Sequence, residues 1–286
     1  MPATGSSFVR AEHYLDVGNP QACLDLLNEV AFDEDPVRAF GLRSLALLRL
    51  GRNEEALEVA EAGLAHEESP ALLFYAAQAS ESMRRPETGT YFRRAVEASP
   101  YDVAIVCRYG SFLIDANHLD EAHRMAATAE QLDPTSTNRL VLEGEIARAE
   151  EDWPRCRSYA QAVLADDPEN VQALVLMAVS ADAQGDFDGG ARRLGQAAAA
   201  NPQDRGLRKA ARRAQAAAAP ALRPVRLASE ALPWWAQGLI LVITFRIARQ
   251  LPAPANLILG TLVLSWVAYS WIATGYVAFR GRRSRR

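Results

Sequence analysis

The chain has 286 residues, of which 49% are apolar and 23% charged, a composition too apolar for an intrinsically disordered protein. Its formal charge of −4 is unevenly divided, because residues 1–202 carry 33 acidic and 17 basic side chains whereas residues 203–286 carry 2 and 14. The three cysteines are odd in number and lack C-x-x-C spacing, which argues against a disulfide framework and a zinc module.

A repeat of about 34 residues occupies the first two hundred residues. Prolines recur at intervals of 34, 30, 34, 34 and 34 residues, each preceded by Asp, Ser or Asn, at Pro36, Pro70, Pro100, Pro134, Pro168 and Pro202. Between successive prolines, a stretch with apolar residues at helical spacing is followed by a short turn and a second, alanine-rich stretch. This alternation predicts pairs of helices.

Residues 108–134 show the unit most clearly, with Arg-Tyr-Gly-Ser-Phe-Leu at 108–113, the turn beginning at Asn117, a small residue at Ala122 and the closing Pro134. The unit resembles the tetratricopeptide repeat, a 34-residue helix–turn–helix with a small residue in each helix and a closing proline. On that pattern about 70% of the chain is covered by six repeats, which begin near Thr4, Val37, Ser69, Val103, Thr137 and Val171.

The resemblance also assigns the small positions and the turns. In the first helix of each repeat, helix A, the small residue is Ser44, Ala76, Gly110, Gly144 or Ala178, and Glu12 replaces it in the first repeat. In the second helix, helix B, it is Cys23, Ala56, Thr88, Ala122, Cys156 or Gly190, so Cys23 and Cys156 are expected to act as small hydrophobic residues. Five turns are predicted to start at Gly18, Gly51, Asn117, Glu151 and Gly185.

Each two-helix unit has an apolar face that it cannot bury alone, so neighbouring units should stack into a superhelix with a concave groove lined by the A helices. A further helix over residues 203–219, with basic residues on one side and alanines on the other, is expected to cap the stack. By repeat position, the groove residues are Arg38, Leu45, Arg49, Leu73, Ala77, Cys107, Arg108, Ser111, Asp115, Val141, Glu145, Arg148, Gln172, Val179 and Asp182. The alternative is that these are solvated helix faces without a ligand.

The chemistry-bearing residues do not form a catalytic constellation. The four histidines, His13, His66, His118 and His123, fall in different repeats or turns, and neither a P-loop motif nor G-x-S-x-G nor H-E-x-x-H is present. We therefore expect no enzyme activity, cofactor, metal, nucleic acid or small-molecule substrate. Family members that hold the C-terminal carboxylate of chaperones use recurring Lys, Arg and Asn residues, of which only Arg38 and Arg108 are matched here, so that ligand is not expected.

The last third of the chain has the pattern of a membrane anchor. A proline- and arginine-containing linker is predicted over 220–233, and residues 255–279 form an uncharged stretch longer than the ~20 residues that a bilayer-spanning helix needs. Residues 234–250 are predicted as a first span, with Trp234 and Trp235 at one interface and Arg246 and Arg249 near the other. The alternative places residues 234–251 flat on the membrane surface as an amphipathic helix.

Arginine counts predict the orientation of this hairpin. Two arginines precede the first span and five follow the second, including Arg280, Arg282 and Arg283 in the tail 280–286, so both flanks should be cytoplasmic. The basic flanks would face anionic lipids. Trp266, Tyr269 and Trp271 lie near the middle of the second span, which favours packing against the first span or a partner.

Together these patterns predict an all-α protein in which a tetratricopeptide-type solenoid over residues 1–219 precedes a transmembrane hairpin. The favoured function is a membrane-anchored adaptor that binds a protein or peptide in its groove at the cytoplasmic face of a bacterial membrane. The alternative is a structural or assembly subunit of a larger membrane complex, packed through its hairpin.

Overall fold

The structure is a computed structural model that describes residues 4–29 and 35–218, together with Ile243, Arg246, Thr261 and Ser265. Over these residues the chain is helical and contains no strand. The helices of the two continuous ranges are α1 Thr4–Asp16, α2 Pro20–Glu29, α3 Pro36–Arg49, α4 Asn53–His66, α5 Pro70–Ser82, α6 Thr88–Ala98, α7 Val103–Asp115, α8 Leu119–Leu132, α9 Thr137–Ala149, α10 Trp153–Asp166, α11 Val171–Ala183, α12 Phe187–Ala200 and α13 Arg205–Ala217. This confirms the predicted all-α helix–turn–helix architecture for the described part of the chain.

Short polar side chains cap the first turn of three A helices, α3, α7 and α11. The Asp35 carboxylate accepts a hydrogen bond from the Arg38 N–H at 3.0 Å, Asp102 accepts from the Ala104 N–H at 2.9 Å, and the Asn170 side chain accepts from the Ala173 N–H at 3.1 Å. Each bond satisfies one of the N–H groups that the first turn of a helix leaves without a partner. With or without such a cap, all six A helices start within one residue of the predicted repeat starts.

A residue in the left-handed conformation ends each A helix. Five of these residues are the predicted turn starts Gly18, Gly51, Asn117, Glu151 and Gly185, with φ between 59° and 78°. The sixth is Arg84, with φ of 55°, in the third repeat, where no turn start was predicted. The Arg85 N–H donates to the Ser80 carbonyl at 2.9 Å, the closing hydrogen bond that also follows the glycine turns.

The chain divides into two compact units, residues 1–151 and 152–286. In unit 1, each of the helices α1 to α8 packs against the helix that follows it, and α1 also contacts α3, the A helix of the next repeat, as α7 contacts α9. Its core includes the fully buried Leu72, Phe92 and Leu142. This packing buries the apolar face that one repeat alone would expose.

Unit 2 has its own core, formed by α10 to α13 in the described residues. Cys156 and Ala160 of α10 are fully buried, and the Cys156 thiol donates weakly to the Leu176 carbonyl of α11 at 3.9 Å. The basic helix α13 packs on α12 and buries Ala211. The helix that was predicted over 203–219 is therefore present, two residues shorter at each end.

The small residues predicted at the helix crossings are buried, and in the first repeat the buried small residue lies one position before the predicted one. A Cβ added to Gly110 would lie 2.7 Å from Cδ2 of Leu142, which shows how closely α7 and α9 cross. In the first repeat the buried small residue is Ala11, whereas the Glu12 side chain is 43% exposed. Placing Glu12 at the crossing position was therefore wrong by one residue.

The predicted membrane segments 234–250 and 255–279, the linker 220–233 and the tail 280–286 lie outside the described residues, apart from the four isolated positions. Among the residues that are described, no helix combines the length and the apolar character that a bilayer crossing requires.

Candidate functional site

The exposed surface of the A helices in unit 1, which we call the A face, carries polar side chains that pair from one repeat to the next. In the first two repeats, Arg38 of α3 donates to the Glu12 carboxylate of α1, with Nη2 at 2.7 Å and Nε at 3.1 Å from Oε1. The same guanidinium lies 5.3 Å from the centre of the Phe8 ring. Arg38 is thus held by a carboxylate and an aromatic face, and it remains 40% exposed.

Arg49 forms the next link. Its guanidinium donates to the Leu15 carbonyl at the end of α1, so it joins α3 to the preceding A helix. The Arg49 charge also opposes the effect of burial on Tyr75 of α5, although burial dominates and raises the pKa of the Tyr75 hydroxyl. The Arg49 guanidinium thus contacts α1 directly, and its charge acts on Tyr75 of α5.

A second group of side chains joins α5, α7 and α9, and we call it the Arg108 network: Glu81, Arg108, Ser111, Asp115, Glu145 and Arg148. Arg108 forms an ion pair with Glu81, and its guanidinium lies 5.7 Å from the centre of the buried Phe92 ring. The Ser111 hydroxyl donates to Oε2 of Glu145 at 2.5 Å. The network contains three carboxylates, and both Arg108 and Ser111 come from α7, the middle helix.

Burial raises the pKa of Glu145 above its ordinary value. The hydrogen bond from Ser111 and the charges of Arg108 and Arg148 oppose this effect, while the Asp115 charge adds to it. Burial also raises the pKa of the Glu81 carboxyl, with Arg108 opposing it. The environment of Glu81 and Glu145 thus disfavours the charged form of both carboxylates. A positively charged group of a ligand would stabilise that charged form.

The residues predicted by repeat position differ in their accessibility. Arg38, Arg49 and Asp115 are exposed, and Leu45, Arg108, Ser111, Val141, Glu145 and Arg148 are partly buried. Leu73 and Ala77 are fully buried, and Cys107 is 4% exposed, so these three side chains pack in the core and present no surface to a ligand.

The remaining predicted residues lie on α11 in unit 2. Gln172 is exposed, and Val179 is partly buried. The Asp182 carboxylate lies against α12, because a Cβ added to Gly190 would be 2.0 Å from its Oδ1. Asp182 therefore faces the helix that follows it in the chain.

Glu81 belongs to the Arg108 network, although it was not among the predicted groove residues. Glu81 stands 34 residues before Asp115 and 32 after Arg49, which puts all three at the end of an A helix. The repeat register was therefore a sufficient signal for Glu81.

The cysteines have the environment of core residues. Burial raises the pKa of Cys107 to about 12 and that of Cys23 to about 11, so both thiols stay protonated and unreactive near neutral pH. Within the described ranges, no group of three or more His, Cys, Asp or Glu side chains is arranged to hold a metal ion.

No protein-family model matches the chain, and no curated protein matches it. Solved structures do match. A chain of the APC/C hetero-tetramer Cut9–Hcn1 aligns with a TM-score of 0.59 and 11% identity, over 73% of this chain and 42% of that one. PilF of Pseudomonas aeruginosa has a TM-score of 0.52 and 17% identity, over 71% and 93% of the two chains. A tetratricopeptide repeat protein from Parabacteroides merdae has a TM-score of 0.51 and 10% identity, over 75% and 100%.

The fold is of the tetratricopeptide-repeat type. The helix boundaries, the turn residues and these structural neighbours agree on it. Identities of 10 to 17% establish the fold alone, so the function has to be argued from the surface of this chain.

Proposed function

We propose that the protein is a scaffold whose A face in unit 1 binds a segment of a partner protein. The observation that carries the proposal is the series of polar contacts from α1 to α9, of which Arg38–Glu12, Arg108–Glu81 and Ser111–Glu145 each join two successive A helices. They place charged and hydrogen-bonding groups of five repeats along the A face.

The Arg38–Glu12 pair is too exposed to serve mainly as a stabilising contact. The side chains of Arg38 and Glu12 are 40% and 43% exposed, and an ion pair in such a position contributes about 0–1 kcal/mol. Their groups can therefore exchange an internal partner for a ligand at small energetic cost. An extended polypeptide suits a surface of this kind, because its backbone and side chains can meet successive repeats.

A protein partner has a precedent among the structural neighbours. The neighbour with a TM-score of 0.59 was solved within a hetero-tetramer of Cut9 and Hcn1. Binding is therefore the function that the A face supports best.

We also propose that the C-terminal segment anchors the repeats at the cytoplasmic face of a bacterial plasma membrane. The support is the sequence: thirty consecutive residues without a formal charge, 250–279, and arginines on both flanks. Helix α13 precedes the linker and exposes Arg208, Lys209 and Arg213, which would meet anionic headgroups.

Reporter fusions test the topology. Reporters placed after Ala219 and after Arg286 should both give a cytoplasmic signal, and one inserted between Pro252 and Pro254 an external signal. Opposite signals from the two terminal fusions would contradict the hairpin and favour an interfacial helix over residues 234–251.

A charge reversal tests the scaffold function. In affinity capture from solubilised membranes, Arg108→Glu should remove a partner that the unchanged protein retains, because it places a fourth acid in the Arg108 network. The matched control is Arg93→Glu, an exposed arginine of α6. Equal capture by the wild type and both variants would contradict binding at the A face.

A second candidate is a structural subunit of a membrane complex, favoured by the aromatic residues Trp266, Tyr269 and Trp271 near the middle of the second predicted span. Replacing residues 256–279 by polyleucine separates the two functions. A scaffold should still capture its partner after this replacement, whereas a packed subunit should no longer assemble with its complex.

A further inference from the structure

A pocket in unit 2 is lined by apolar and cationic side chains from α10, α11, α12 and the loop between α10 and α11. Its volume is about 410 Å³. The lining residues are Leu164, Pro168, Leu174, Arg192, Arg193 and Gln196. A volume of this size is within the range of natural ligand pockets, which is about 300–1,000 Å³.

The two arginines of the pocket have no partner within the described part of the chain. Arg192 and Arg193 make no ion pair, hydrogen bond or ring contact there, although other arginines of unit 2 do. Arg157, for example, donates to Gln184, and Arg155 lies over the Tyr159 ring. The fold therefore leaves two guanidinium groups beside an apolar surface.

The two arginines and the apolar side chains of the pocket favour a ligand that carries both a carboxylate and an apolar group. Guanidinium groups bind carboxylates with paired, charge-assisted hydrogen bonds, and the Gln196 amide can add another donor or acceptor. Leu164 and Pro168 offer apolar contact to a neighbouring group, and the largely buried Leu174 completes the apolar lining. An apolar group next to a carboxylate satisfies both requirements.

We propose that this pocket is a second binding site, which takes a polypeptide segment in which an apolar side chain is flanked by acidic residues. An apolar lining of this size can cover one such side chain but not a pair of acyl chains, which is why a peptide is favoured over a lipid. The site is in unit 2 and uses none of the A-face residues. It is therefore independent of the function proposed for the A face.

Fluorescence anisotropy on the full-length protein in neutral detergent tests the proposal. The probe is the fluorescein-labelled peptide Ser-Glu-Leu-Glu-Ser, compared with the same peptide carrying Gln for both Glu, and with one carrying Ser for Leu. The pocket variant is Arg192→Gln with Arg193→Gln. The control is Arg208→Gln with Arg213→Gln, which removes the same charge from the exposed face of α13.

The acidic leucine peptide should bind the wild type, and each altered peptide should bind at least fivefold more weakly. The pocket variant should weaken binding at least tenfold, and the α13 control less than twofold. Equal losses in the two variants would assign the effect to general surface charge and overturn the proposal, as would failure of the peptide to bind at millimolar concentration.

Vesicles of phosphatidylcholine with phosphatidylglycerol form the second arm. The proposal expects the pocket variant and the wild type to sediment with these vesicles to the same extent. If the pocket variant instead loses vesicle binding that the wild type shows, the pocket serves a lipid and the proposal is overturned.

Discussion

Replacing Gly63 by alanine should destabilise the protein, although alanine is the better helix former. A Cβ at this position of α4 would lie 2.8 Å from Cβ of Phe40 in α3 and 2.8 Å from Cδ1 of Leu72 in α5. The Phe40 Cβ is fixed to its backbone, and Leu72 is fully buried, so neither atom can move away cheaply. Overpacking of this kind costs about 1–3 kcal/mol, against a gain of about 1 kcal/mol in helix propensity.

We therefore expect Gly63→Ala to lower the free energy of unfolding by up to about 2 kcal/mol. Gly41→Ala is the matched control, because the nearest atom to its added Cβ is Cε2 of Tyr75 at 3.8 Å, an ordinary contact. It should stabilise the protein by about 1 kcal/mol. Each kcal/mol shifts the unfolding temperature by about 2–4 °C in a chain of this size.

Thermal unfolding followed by far-ultraviolet circular dichroism measures both variants. The unfolding temperature should fall for Gly63→Ala and rise for Gly41→Ala. Equal shifts, or a rise for Gly63→Ala, would refute the reasoning that α4 needs a glycine where α3 and α5 approach it.

Three further predictions concern single side chains. Arg84→Gly should stabilise by about 0.5–1 kcal/mol, because Arg84 has a φ of 55°, and Gly51→Ala should destabilise by about 1 kcal/mol, since φ is 72° there. Ser44→Ala should stabilise by about 1 kcal/mol, because the buried Ser44 hydroxyl has no hydrogen-bond partner within the described ranges. Glu145→Gln should stabilise at neutral pH, and its advantage should shrink as the pH falls, because burial raises the pKa of Glu145 so that the folded protein takes up a proton more readily than the unfolded chain.

Urea titrations at several pH values check these predictions. The first would be contradicted if Arg84→Gly and Gly51→Ala changed stability in the same direction. A loss of stability in Ser44→Ala would mean that the hydroxyl has a partner. An advantage of Glu145→Gln that grows on acidification would mean that the pKa of Glu145 is lowered rather than raised.

The fold could be predicted from the sequence because its determinants are local and recur. The prolines, the Asp and Asn caps and the left-handed turn glycines each mark a helix boundary within a few residues of chain. The turn at Arg84 was not predicted because arginine, unlike glycine or asparagine, rarely adopts a positive φ. The hydrogen bonds of the neighbouring turn residues keep Arg84 in this conformation.

The candidate site could be predicted only in part. Repeat position gives the direction in which a side chain leaves an A helix but not how deep it lies, so Leu73 and Ala77 were included although both are fully buried. Their depth depends on the residues that cover them from neighbouring helices. The pairs Arg108–Glu81 and Ser111–Glu145 likewise depend on the spacing between repeats, which a linear pattern does not contain.

The pocket of unit 2 had no sequence signal at all. Its residues come from three helices and one loop, and they share no motif, because Leu164 and Gln196 are far apart in the chain. Only the packing of α10, α11 and α12 brings them together.

Site-specific photo-crosslinking in cells tests the central claim, that the A face of unit 1 binds a protein segment, most directly. A photoreactive amino acid in place of the exposed Asp115 of α7 should give a discrete crosslinked product, and this product should disappear in Arg108→Glu. The same amino acid in place of Glu130, exposed on the B helix α8, should not give it. Identical products from both positions, or a product at position 115 that survives Arg108→Glu, would contradict the claim.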